Sequence, residues 1–200
     1  MGKLDIHNTF SPGQEIIDPQ KFAGRKGNIA QAIKALCRPG TSILVYGERG
    51  VGKSSFVEMV KLIAQDQVEL IYRHKLNALR PPTGFQYKVI SVECDADVDS
   101  TEKVLQRIIT SPEGISGLIG PRLAAIETRI KDHFALNLLK QVVSIGREYE
   151  EKITRKEFTE MSIYEMFTNL VILIIQNVLG PDEGLLIVID EFIGSKTILK

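Results

Sequence analysis

Ile43-Leu44-Val45-Tyr46-Gly47-Glu48-Arg49-Gly50-Val51-Gly52-Lys53-Ser54 is the stretch on which the reading of this chain turns. Its first four residues are apolar, β-prone and flanked by Gly40 and Gly47, the pattern of a strand buried on both faces. Gly47 to Ser54 then match G-x-x-x-x-G-K-[ST] in full. Each part of that pattern has a chemical reason. Glycines let the backbone curl until successive N–H groups point inward at phosphate oxygens. Phe56, Val60 and Ile63 recur at helical spacing, so a helix opens near Lys53 and presents the positive end of its dipole to the same anion. Lys53 reaches the β- and γ-phosphates as a point charge, and the Ser54 hydroxyl is a ligand for Mg²⁺. Gly47, Glu48, Arg49, Gly50, Val51, Gly52, Lys53, Ser54 and Ser55 are therefore the expected phosphate-binding set.

Outward from this loop, strands and helices alternate. Ile29, Ile33, Leu36 and Cys37 mark a helix that Pro39-Gly40 ends. A second strand is expected at Lys88 to Val92. A helix carrying Val104, Leu105, Ile108 and Ile109 follows, with Asp99 and Glu102 as its N-terminal cap. Residues 65–84 have no clear period apart from a loop at Pro81 to Gly84. Residues 114–159 read as a helical or irregular insert, in which Pro121 opens a short helix and Leu138 to Phe158 has no legible period. Ile163, Phe167, Leu170, Val171, Ile174, Ile175 and Val178 predict a helix apolar nearly all round, hence buried, stopped by Gly180-Pro181. A third strand, Leu185 to Ile189, runs into Asp190-Glu191. Such alternation predicts a parallel α/β sheet flanked by helices. Ligands gather at the C-terminal ends of parallel strands. Asp190 is accordingly expected to hold Mg²⁺, mostly through water, and Glu191 to accept a proton from the attacking water.

The 200 residues make one ordinary domain, here an extended leader (1–20) and a nucleotide-binding domain (21–200). Twenty-five Lys+Arg balance twenty-five Asp+Glu, which excludes a bulk positive field for holding nucleic acid non-specifically. No apolar run approaches a membrane span and no signal-peptide core opens the chain, so a cytoplasmic location is expected. Cys37 and Cys94 are too few for a disulfide scaffold; each lies in or beside an apolar run and reads as a small buried thiol. Asp95, Asp97 and Asp99 open like a calcium loop, but Ser100 and Gln106 replace the required glycine and bidentate glutamate. His7, His74 and His133 share no metal-ligand spacing. The alternating charges from Arg147 to Glu157 read as a solvated face.

Phe22-Ala23-Gly24-Arg25, then GERGVGKSS at 47–55 and LLIVIDEF at 185–192, resembles the nucleotide-binding domain of AAA+ and STAND-type ATPases, and the origin-recognition and archaeal STAND-like members open with a similar box. The resemblance implies a P-loop NTPase fold of the additional-strand, catalytic-glutamate type. It places Phe22, Gly24 and Arg25 against the adenine, although Lys26 and Asn28 stand where the family carries acidic residues. It also implies ATP and Mg²⁺ as ligands, and slow hydrolysis that awaits an arginine from a partner or a later domain. The extra central strand of the family finds no room before Lys200, so the expected domain is incomplete at its C-terminus, with partner domains or subunits beyond residue 200 and an oligomer when complete. The function implied is a nucleotide-dependent switch in a larger signalling or defence-type protein. A DNA-handling ATPase of the initiator or transposition-helper kind, a regulatory GTPase, a small-molecule kinase and a nucleotide-binding scaffold without turnover are the alternatives.

Overall fold

The computed structural model describes residues 15–95, 97–147 and 161–190. The chain divides into two compact units, Met1–Tyr87 and Lys88–Lys200.

In the first unit, α1 (Lys26–Leu36) buries Ile29, Ala32, Ile33 and Leu36 on one stripe and ends at Cys37, just before Pro39-Gly40. Helix α2 (Lys53–Ala64) buries Phe56, Met59, Val60, Ile63 and Ala64, and the two helices pack on each other. Burying each of these large side chains contributes about 1.5–3 kcal/mol, so the facing stripes hold the pair together. The stretch that lacked a period contains α3 (Glu69–Arg73), which adds Leu70 and Ile71 to this core, and a 3₁₀ turn at Asn77–Leu79. Asp66, in a left-handed conformation with φ 62°, closes the loop behind them. Its carboxylate accepts from Arg80 Nε at 2.9 Å and from the Phe85 amide at 3.1 Å.

Ile43–Tyr46 departs from expectation. It joins no sheet among the described residues; Leu44 is 83% and Tyr46 84% exposed. An apolar run states that burial is favourable, whereas a strand exists only where a neighbouring strand offers a ladder. No described strand offers one here. Cys37 is likewise exposed rather than buried, its thiol 3.6 Å from the Leu79 carbonyl oxygen, while Cys94 is buried as expected.

The second unit, which begins one residue into β1 (Tyr87–Glu93), holds a two-stranded parallel sheet of β1 beside β2 (Gly184–Asp190). Parallel neighbours need a long crossover, and among the described residues five helices lie along it. They are α4 (Thr101–Thr110), α5 (Ile115–Ile119), α6 (Leu123–Glu127), α7 (His133–Arg147) and α8 (Ile163–Asn177). The stretch read as an insert contributes to the core of this unit: Ile115, Ile119, Ile126, Leu138, Leu139, Val142 and Val143 pack with Ile90, Val92, Ile108, Ile109 and Leu170. Pro121 sits in a 3₁₀ turn, Gly120–Arg122, that leads into α6.

Two local expectations fail for identifiable reasons. The cap of α4 is Ser100, whose Oγ accepts from the Lys103 amide at 3.3 Å, while Asp99 pairs with Lys103 Nζ at 2.9 Å. Extended φ/ψ at Ser100 aims its short hydroxyl at the first turn, the geometry a cap needs. Helix α8 is only partly buried, with Met166, Leu170 and Ile174 inside but Ile172 45% and Ile175 55% exposed. One stripe of this helix meets the core, and apolar composition on the other faces does not create a neighbour to cover them. Its start is firmly set by a capping box, in which Ser162 Oγ accepts from the Glu165 amide at 3.2 Å and the Glu165 carboxylate accepts from the Ser162 amide at 3.1 Å.

Candidate phosphate-loop site

The loop between Ile43–Tyr46 and α2 is open to solvent at Gly47, Glu48, Arg49, Gly50 and Val51. Gly50 (φ 82°) and Gly52 (φ 77°) both take left-handed backbone, which a side chain would strain. Gly52 is the N-cap of α2, and no side chain caps it. The amides of Lys53, Ser54 and Ser55 therefore fall in the first turn, where an α-helix provides no internal acceptor. No acidic residue sits in that turn. The arrangement of a bent glycine loop leading to an uncapped helix start suits an anion.

Lys53 turns back over its own loop, donating from Nζ to the Gly47 carbonyl at 3.0 Å and the Glu48 carbonyl at 2.9 Å. Those bonds hold the ammonium above the curl of the loop. Ser54 is half-buried, whereas Ser55 is buried and its Oγ accepts from the Ile16 amide at 2.9 Å. The two neighbouring hydroxyls thus have different surroundings, and Ser55 ties the N-terminal segment to α2.

The box at 22–25 lies beside the loop. Phe22 is buried at 4% exposure, so its ring belongs to the core of the first unit rather than to an open stacking surface. Gly24 (φ 74°) and Arg25 (φ 52°) are both left-handed, and Arg25 is the N-cap of α1. A methyl group placed on Gly52 would lie 3.5 Å from an Arg25 Nη, which puts the guanidinium against the last glycine of the loop. Arg73, at the end of α3, donates to the Gln20 carbonyl at 2.7 Å and to the Phe22 carbonyl. His74 next to it has a buried Nε2 with no hydrogen-bond partner among the described residues. Burial, then the charges of Arg73 and Lys26, holds its imidazole below the ordinary histidine range. Arg73 carries no signal in the sequence beyond being a cation in an aperiodic stretch.

Asp190 stands at the C-terminal end of β2, in the second unit, where its backbone carbonyl accepts from the Cys94 amide at 3.0 Å. Glu191 lies outside the described residues, as do His7 and the charge run at 148–157. Ser54, in the first unit, carries a hard oxygen donor of the kind Mg²⁺ takes. Among the described residues no group of three His, Cys, Asp or Glu side chains is arranged to hold a metal. Two aspartates of the calcium-like stretch form ion pairs, Asp95 with Arg107 at 2.5 Å and Asp99 with Lys103. No described helix is long and apolar enough to cross a membrane. No protein-family model, curated protein or solved structure matches this chain.

Proposed function

We propose that this chain binds ATP–Mg²⁺ through the Gly47–Ser54 loop and hydrolyses it slowly, acting as a nucleotide-dependent switch. The observation that carries the reading is the complete loop pattern ending in an uncapped helix start, with the Lys53 ammonium held over the curl. In this reading the first-turn amides of α2 and Lys53 grip the phosphates. The Ser54 hydroxyl would help hold Mg²⁺, which neutralises charge on the β- and γ-phosphates when bound. Glu191 takes the proton of the attacking water. Arg25, against Gly52, adds a cation beside the loop.

Titration of ATP–Mg²⁺ and GTP–Mg²⁺ against the chain tests nucleotide choice; ATP is expected to bind more tightly, and equal or tighter GTP binding overturns the adenine assignment. Lys53→Ala is expected to weaken ATP by a hundredfold or more, on the order of 3 kcal/mol for a charged hydrogen-bonding group. Glu191→Gln is expected to keep ATP affinity within about threefold while lowering turnover by about 10²-fold or more. Hydrolysis by Glu191→Gln at the parent rate would remove that residue from the mechanism.

A further inference from the structure

We propose that Arg73 and Ser55 are positioning residues for the nucleoside half of the ligand, because together they strap the backbone of residues 16–25 beside the phosphate loop. The proposal rests on the ATP reading above and deepens it. The segment is tied at its beginning by the Ile16 amide on Ser55 Oγ at 2.9 Å, and further along by Arg73 on the Gln20 and Phe22 carbonyls. Between those ties the chain folds on itself, with the Lys21 amide on the Asp18 carbonyl at 3.0 Å and the Gln20 amide on the Asp18 carboxylate at 2.9 Å. Buried Phe22 anchors the segment from below, and Arg25 closes it against Gly52.

Once the loop grips the phosphates, the sugar and base must lie against whatever borders the loop. Within the first unit this strapped segment borders it at both Ser55 and Gly52. Ala23 and Gly24 are exposed there, and backbone N–H and C=O groups are among the means by which a pocket orients a flat heterocycle. Arg73 makes no use of its charge on the phosphates in this arrangement. Its fork holds two carbonyls, and so holds the shape of the wall. Binding to an already ordered wall avoids the cost of ordering it on arrival.

The test separates base from phosphate. ATP–Mg²⁺, GTP–Mg²⁺ and inorganic tripolyphosphate with Mg²⁺ are each titrated against the parent chain, Arg73→Ala, Arg73→Lys and Ser55→Ala, with a thermal melt of every variant. The parent should bind ATP more tightly than tripolyphosphate. Arg73→Ala should lose about tenfold for ATP, on the scale of one charge-assisted hydrogen bond, and stay within about twofold for tripolyphosphate. Its preference for ATP over GTP should shrink by a similar factor, as should that of Ser55→Ala, and Arg73→Lys should recover part of the loss. Equal losses for ATP and tripolyphosphate would show a merely structural role and overturn the proposal, as would unchanged ATP affinity. If Arg73→Ala melts too low to titrate, Arg73→Lys carries the same decision. A parent chain that binds tripolyphosphate as tightly as ATP overturns the strap while leaving the loop; one that binds neither overturns the ATP reading itself.

Discussion

Asp66 shows how one residue organises a region without a legible period. Its left-handed backbone turns the chain after α2, and its carboxylate joins Arg80, the Phe85 amide and the space over Gly84. Gly84 is itself left-handed (φ 77°), and a Cβ there would lie 2.6 Å from an Asp66 oxygen. The hydrogen bond from Arg80, with the Phe85 amide, outweighs desolvation and holds the Asp66 carboxyl below its ordinary value of 3.8. A carboxyl depressed in the folded state contributes stability that is present above the unfolded value and lost as pH falls through the folded one. Asp66→Asn should therefore lower the melting temperature at pH 7 and flatten its fall between about pH 5 and pH 3. Melts of parent and variant across that range check this; parallel curves would mean the ion pair contributes nothing to the acid limb. None of this was readable from sequence. Asp66 and Arg80 are two ordinary charges, and their pairing depends on a loop whose conformation no short-range pattern specifies. The phosphate loop is the opposite case, since glycine spacing, lysine and hydroxyl are all local, and residues 47–54 announce them directly.

Among the helices, legibility follows periodicity and capping chemistry. Helices α1, α2 and α8 declare themselves because their buried residues recur at three and four positions between clear stops. Helix α7 hid because β-branched residues and charges blur the same spacing, although Leu138, Leu139, Val142 and Val143 all face the core. Its packing against α5 supplies a prediction. A Cβ on Gly146 would lie 1.7 Å from Ser116 Oγ and 2.5 Å from Ser116 Cβ, distances that no real contact shows. Two effects then compete in Gly146→Ala. Helix propensity favours alanine by about 1 kcal/mol, while forcing α5 and α7 apart costs about 3 kcal/mol or more in a packed core. Overlap wins, and the variant should be destabilised by about 2 kcal/mol in a denaturant melt. Pairing it with Ser116→Gly removes both overlapping atoms, so the double variant should recover most of that loss. Simple additivity of the two changes would show that the close approach is not the cause.

At the scale of the whole chain, the unresolved tension is between composition and exposure. Net charge is zero at neutral pH, with an isoelectric point near 6.8, so electrostatic repulsion does little to keep molecules apart there. The segment expected to be a strand buried on both faces, Ile43–Tyr46, meanwhile presents Ile43 at 39%, Leu44 at 83% and Tyr46 at 84% exposure. It reaches directly into the phosphate loop, so whatever covers it also bears on the backbone that holds the ligand. Apolar side chains in this state gain by meeting another surface, at about 25 cal/mol per Å² removed from water. A chain with this run exposed should self-associate most strongly near pH 6.8, and less as pH moves away and like charge accumulates. Leu44→Lys combined with Tyr46→Lys removes the two most exposed apolar groups and adds repulsion, and should weaken self-association by about tenfold to a hundredfold. Because neither side chain is packed, the melting temperature should hold within about 2 °C. Light scattering and size-exclusion chromatography across pH 5.5 to 8.5, with melts of both forms, measure each part. A parent chain that stays monomeric at pH 6.8 shows that the run is not adhesive, and a large fall in melting temperature shows that it is packed after all.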